Sequence, residues 1–136
     1  VRTLQGHSDR VYAVDFANGI LASASWDGTA RVWDVESGET LHELGLHTGR
    51  LWTAAFSPSG DLLATAGDDL VVRLWDPSSG EHLHTLGGHT RGVWSVTFSP
   101  SGELLATGGD DGTVRLWSIT GQGPVARLTL LGLPEG

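Results

Sequence analysis

Three residue types that can carry chemistry recur through this 136-residue chain at fixed intervals. His7, His47 and His89 are each followed 20 or 22 residues later by an aspartate: Asp27, Asp69 and Asp111. A tryptophan then closes each set, and Trp33, Trp75 and Trp117 are spaced by 42. Ser25 adds a hydroxyl to the first set. Histidine, aspartate and serine are the side chains of a hydrolytic triad, in which a base activates a nucleophile and a carboxylate orients the base. Repetition argues against that use. A polar group present in every copy and buried between strands is expected to hold strands together. No Gly-x-Ser-x-Gly elbow, P-loop or dinucleotide fingerprint accompanies it. No catalytic residue is expected and no cofactor is implied.

The remaining histidines do not point to a metal. His82 and His84 lie two apart, and His42 stands at the position matching His84. Without cysteine or a converging carboxylate shell they do not make a ligand set. More informative are the aromatics outside the 42-residue series. Trp52 and Trp94 occupy one equivalent position in their copies, and Tyr12 occupies it in the first. Trp26 precedes a turn and is expected to lean furthest toward the surface. Tryptophan, tyrosine and arginine are the types enriched where partners bind.

Composition removes several functions. Net charge is −8, and all eight basic residues are arginine. This is the wrong balance for a nucleic-acid backbone or an anionic membrane surface, so neither is expected as a partner. The absence of cysteine excludes a disulfide framework and fits a reducing, cytoplasmic setting. No apolar run approaches a membrane span, and no signal peptide opens the sequence. The chain lacks an initial methionine and opens in a strand-like segment, Val1 to Leu4. It therefore reads as a piece of a longer protein or as trimmed to its repeats.

The elements that must position these residues also repeat. Each copy reads as four short strands joined by turn chemistry. In the third copy these are Val93–Phe98, Leu104–Thr107, Thr113–Trp117 and Pro124–Leu131. Ser99-Pro100-Ser101-Gly102 supplies one turn and Asp111-Gly112 the next. The second copy has Leu51–Phe56, Leu62–Ala66, Val71–Trp75 and His82–Leu86. The first has Val11–Phe16, Ile20–Ser25, Ala30–Trp33 and Thr40–Leu44, with Asn18-Gly19 as a two-residue hairpin turn. Leu70 stands where Gly28 and Gly112 stand, so a turn needing positive φ would carry a steric cost there. No helical period is sustained anywhere. Strands apolar on both faces, such as Leu104-Leu105-Ala106, fit sheets sandwiched between neighbours. The period in the forties, with several strands per copy, predicts an all-β array of antiparallel propeller blades.

With Gly6-His7, Gly88-His89, Trp33-Asp34 and Trp75-Asp76 in place, the chain resembles the WD40-repeat β-propeller family. Leu46-His47 and Trp117-Ser118 depart from its pattern. The resemblance covers repeats at 4–44, 45–86 and 87–131, followed by a linker-like tail, 132–136. It implies three four-stranded blades that form part of a larger or oligomeric propeller. Val1–Leu4 would be an orphan outer strand of a further blade. The family's hydrogen-bonded tetrad would be His7, Ser25, Asp27 and Trp33 in the first copy. The second and third would keep His47, Asp69, Trp75 and His89, Asp111, Trp117, with Gly67 and Gly109 at the hydroxyl position. The first tetrad should then be the best ordered. The upper rim around the central channel would present Arg10, Tyr12 and Trp26; Arg50, Trp52 and Asp68; and Gly92, Trp94 and Asp110.

The resemblance implies a non-catalytic scaffold or sensor that binds a protein or peptide on that rim. It also implies self-association through open blade faces. The near-identical copies and the phrase Phe-Ser-Pro-Ser-Gly-Glu-Leu-Leu-Ala-Thr resemble bacterial arrays attached to signalling ATPases or kinases. A self-assembling repeat module, natural or engineered, is the alternative.

Overall fold

The computed structural model describes residues 2–45, 47–120 and 123–131, the stretch from Thr120 onward as backbone alone. The first sheet holds β1 (Val11–Ala17), β2 (Ile20–Ser25), β3 (Ala30–Asp34) and β4 (Thr40–Leu44). The second holds β5 (Leu51–Phe56), β6 (Leu63–Gly67), β7 (Val72–Trp75) and β8 (His82–Leu86). The third holds β9 (Val93–Phe98), β10 (Leu104–Gly109), β11 (Thr113–Thr120) and β12 (Gly123–Leu131). All three are four-stranded antiparallel meanders in sequence order, and no helix occurs among the described residues. The expected strands are present with their ends moved by up to three residues, the largest change being β11, which runs on from Trp117 to Thr120. Residues 132–136, expected to be a linker-like tail, lie outside the described residues.

Turn chemistry fixes the register of each sheet. Asn18 and Gly19 both take positive φ, 44° and 81°, as a hairpin turn matched to strand twist requires. In the second and third sheets Gly60 and Gly102 close the turn onto the carbonyls of Ser57 and Ser99. The same serines accept, through Oγ, the backbone N–H groups of Leu62 and Leu104. Every β3-to-β4 type pairing carries a bulge beside the motif tryptophan, at Val32/Trp33, Leu74/Trp75 and Leu116/Trp117.

Sheets stack face to face through small residues. Ala22, Ala24, Ala30, Val32 and Leu44 of the first sheet pack on Leu51, Ala54, Phe56, Leu63 and Trp75 of the second. Ala64, Ala66, Val72, Leu74 and Leu86 of the second repeat this against Val93, Val96, Leu105 and Trp117 of the third. Alanine on one side lets the sheets approach; leucine and tryptophan on the other fill the space. Hydrogen bonds brace the first junction, among them Phe56 N–H to Asp15 Oδ2 at 2.8 Å and Asn18 Nδ2 to the Ser59 carbonyl at 2.9 Å.

Residues 2–7 pair with no strand of this chain. The segment instead lies against the first sheet, where the Arg2 guanidinium donates to the Ser37 carbonyl at 2.8 Å. His42, five residues before His47 as Arg2 is before His7, makes the matching contact with the Ser78 carbonyl at 3.0 Å.

Leu70 does take the left-handed conformation, with φ of 74° beside 88° at Gly28 and 78° at Gly112. Its Cβ then crowds its own backbone, while its exposed side chain recovers little by burial. Leu70→Gly is expected to raise the unfolding free energy by about 1 kcal/mol, the relieved strain exceeding the added unfolded-state entropy. Urea denaturation measures it, and a loss of stability would contradict the strain.

Candidate functional site

In each sheet four side chains form a hydrogen-bonded series. In the first, Trp33 Nε1 donates to Ser23 Oγ at 2.8 Å, and Ser23 Oγ meets His7 Nε2 at 2.6 Å. His7 Nδ1 then meets Asp27 Oδ2 at 2.9 Å. In the second, Trp75, Thr65, His47 and Asp69 repeat the chain at 2.8, 2.7 and 2.8 Å. In the third, Trp117, Thr107, His89 and Asp111 repeat it at 3.2, 2.8 and 3.0 Å. A neutral imidazole satisfies every partner. The carboxylate only accepts, so Nδ1 carries the hydrogen; Nε2 accepts the hydroxyl proton, and the hydroxyl oxygen accepts the indole N–H.

The hydroxyl assignment therefore changes. The tetrad serine is Ser23, not Ser25, and the other copies are not deficient: Thr65 and Thr107 do the work expected to be missing at Gly67 and Gly109. The hydroxyl stands ten residues before the tryptophan in all three copies. Antiparallel register explains this, since Leu21 pairs with Trp33 and Ser23, two residues on, shares its face. Ser25 instead braces the turn, donating to the Asp9 carbonyl and accepting the Asp27 N–H. A Cβ added at Gly67 would collide with the Arg50 backbone, and one at Gly109 with the His89 ring. The first and second tetrads have indole bonds of equal length and the third a longer one, while the first aspartate is better satisfied than the second: Asp27 accepts from His7, the Ser8 N–H and both donors of Thr29, and Asp69 Oδ1 has no partner.

The aspartates are electrostatically anchored. Burial opposes charge on Asp27, but hydrogen bonds from Thr29, His7 and the Ser8 N–H outweigh it and hold its pKa below the ordinary carboxylate range. Asp111 is depressed in the same way: burial is outweighed by Thr113, the Thr90 N–H and His89. Asp69 is lowered too, against burial, by the hydrogen bonds from His47 and the Thr48 N–H, with the Arg73 charge contributing. Asp27 and Asp111 have both carboxylate oxygens bonded, whereas Asp69 Oδ1 is buried without a partner, because Val71 stands where Thr29 and Thr113 supply the donor.

The residues expected on the rim divide into a cluster and one outlier. Backbone bonds from Trp26 N–H to the Arg10 carbonyl, Asp68 N–H to Arg50 and Asp110 N–H to Gly92 hold each turn against its own strand entry. Tyr12 stacks parallel on Trp26, centroids 4.7 Å apart. Trp52 meets Tyr12 edge-on at 4.8 Å, Trp26 at 5.2 Å and Trp94 at 4.2 Å. Its Nε1 donates to Asp68 Oδ1 at 2.8 Å. The guanidinium carbons of Arg50 and Arg10 stand 4.1 and 4.9 Å from the Trp26 ring centroid. Asp110 is exposed at the other end of the row, outside this network.

Trp26 is thus the half-buried centre of the cluster, not its most exposed member; Tyr12 and Trp94, each 47% exposed, are its open ends. Sequence reading also missed a cleft of about 280 Å³ lined by Trp26, Asp27, Gly28, His47, Thr48, Gly49 and Arg50. The difference between Gly28 and Leu70 was the signal for it. Among the described residues no three histidine or carboxylate side chains converge as metal ligands.

The WD domain, G-beta repeat family model matches residues 1–34, 38–76 and 80–118. The chain is 44% identical over 59 residues to WD repeat-containing protein pop1 of Schizosaccharomyces pombe, covering 43% of this chain and 8% of that protein. It is 41% identical over 61 residues to the guanine nucleotide-binding protein subunit beta of Oryza sativa subsp. indica, covering 43% and 16%. Coronin-7 of Mus musculus is 37% identical over 60 residues, covering 42% and 6%. The chain thus spans less than a fifth of each of these relatives.

Removing one tetrad hydroxyl leaves two buried groups without a partner. Thr65→Val, nearly isosteric, is expected to cost about 1–3 kcal/mol in thermal or urea unfolding. It should also shift the Trp75 indole N–H resonance. A neutral effect on both would contradict the bridging role.

Proposed function

The chain belongs to the WD40-repeat family, and from that premise we propose that it is a non-catalytic interaction module binding a protein or peptide partner across its upper rim. The observation that carries this is the row Tyr12, Trp26, Trp52 and Trp94. These are four large aromatics in mutual contact, two of them half-exposed at its ends, with arginines over the indole of Trp26. Such a patch carries apolar area and fixed donors together, as binding hot spots do. The near-identical, lysine-free repeats support a parent of the bacterial signalling type acting in the cytoplasm.

Trp94→Ala removes an end of the row without opening the core. It is expected to weaken capture of the partner, identified by crosslinking and mass spectrometry from the parent cell extract, by about 30-fold or more. The melting temperature should stay within a degree or two. Retained capture, or a melted protein, would favour a packing role for the row.

A second reading, self-association through open blade faces, is favoured by one contrast. Val14 and Phe16 on β1 are 62% and 71% exposed, whereas their counterparts Ala54 and Phe56 are 7% exposed against the preceding sheet. On the opposite side, Val114 is exposed where Ala30 and Val72 are fully covered. The two faces are the halves of a contact the chain already makes twice, so copies would join head to tail. Light scattering is expected to give concentration-dependent oligomers that Phe16→Glu converts to monomers. A monodisperse unmodified monomer would overturn this second reading.

A further inference from the structure

We propose that the cleft between Trp26 and Arg50, with Arg10 beside it, is a carboxylate site that takes one acidic side chain of a partner peptide. This rests on the rim reading above and adds a ligand chemistry to it.

Charge is the first support. In a chain of net charge −8, Arg10 and Arg50 converge on a single indole. Among the described residues neither pairs with a carboxylate, whereas Arg31 pairs with Glu43. Neighbouring aspartates make hydrogen bonds elsewhere, Asp68 Oδ1 to the Trp52 indole among them. Asp9 turns its Oδ1 to the Arg10 backbone N–H at 2.7 Å. Asp27, which lines the cleft, has Oδ2 bonded to His7 and the Ser8 N–H and Oδ1 bonded to both donors of Thr29. Stacking on an indole holds a guanidinium in plane and leaves its N–H edge free for a planar two-oxygen acceptor.

Shape is the second. The cleft of about 280 Å³ lies just below the range usual for small-molecule pockets, which fits one side chain. Gly28 and Gly49 keep it open: a Cβ at Gly28 would already press on the Gly49 and His47 carbonyls. Tyr12, Trp52 and Trp94 extend from it as an apolar shelf for the residues that follow.

The third support is that the site is built only at this junction. At the next one the matching residues are Asp68 for Trp26, Leu70 for Gly28 and Gly92 for Arg50. A carboxylate replaces the indole, a leucine the open turn, and a glycine the cation. Asp68 stands beside Gly49 and Arg50 at the cleft's edge with its Oδ1 held by the Trp52 indole, and with Asp110 it disfavours a second acid, so the fitting peptide is acidic at one end and apolar beyond it.

The test is a titration of the full chain with three blocked peptides that carry Glu, Gln or phosphoserine before two leucines, read by calorimetry and by the indole N–H resonances. The Glu peptide is expected to bind at least tenfold tighter than the Gln peptide. Arg50→Gln and Arg10→Gln should each reduce that preference to within about twofold, while Trp94→Ala weakens both peptides alike. Equal binding of Glu and Gln peptides, no binding of either, or a preference that survives both arginine variants would overturn the site. A phosphoserine peptide bound more than tenfold tighter than the Glu peptide would also overturn it, in favour of phosphate. If the arginine variants act and Trp94→Ala does nothing, the wider rim reading fails and the carboxylate site stands.

Discussion

A single hydroxyl oxygen, shared by an imidazole and an indole, is the contact on which each blade depends. Ser23, Thr65 and Thr107 each accept from a tryptophan and reach a histidine that is locked in turn by an aspartate. The chain joins the loop before the innermost strand, the second strand, the turn beyond it and the third strand. These are parts of the blade that backbone ladders alone do not tie together at the top. Its members are buried, and buried polar groups must all be satisfied or the network costs more than an apolar core would. Here the three links of each chain are made, and Asp69 Oδ1 in the second copy is the tetrad atom left without a partner.

That chain separates scaffold from function within one repeat. Below it, alanines face leucines, phenylalanines and tryptophans across each sheet junction, and the same arrangement is built twice. Above it, the positions equivalent to Trp26 are Asp68 and Asp110, and those equivalent to Arg50 are Arg10 and Gly92. The repeats agree where they pack and differ where they face solvent. Geometry explains how both hold together: a turn residue anchored by its backbone N–H to the strand entry can change its side chain without disturbing the tetrad beneath.

The repeat made the sheets legible. Turn residues and strand alternation set β1 to β12 to within three residues, and Leu70 was recognisable as strained because glycine occupied the other copies. The tetrad was readable in three of its four members. The hydroxyl was misassigned because copy one offers Ser23 and Ser25 on the same strand, and only the pairing register with Trp33 selects the first. A change from serine to threonine between copies then hid Thr65 and Thr107. The clustering of Arg10 and Arg50 on Trp26 crosses a blade junction. No spacing within one repeat reports such a contact.

Native-state hydrogen exchange of the six indole N–H groups tests the central claim most directly. If the shared hydroxyl holds each blade, the Nε1 protons of Trp33, Trp75 and Trp117 exchange only with global unfolding, and their opening free energies match the denaturation value. The Trp94 proton should exchange orders of magnitude faster. Motif indoles that exchange as quickly as Trp94 in the folded protein would contradict the account.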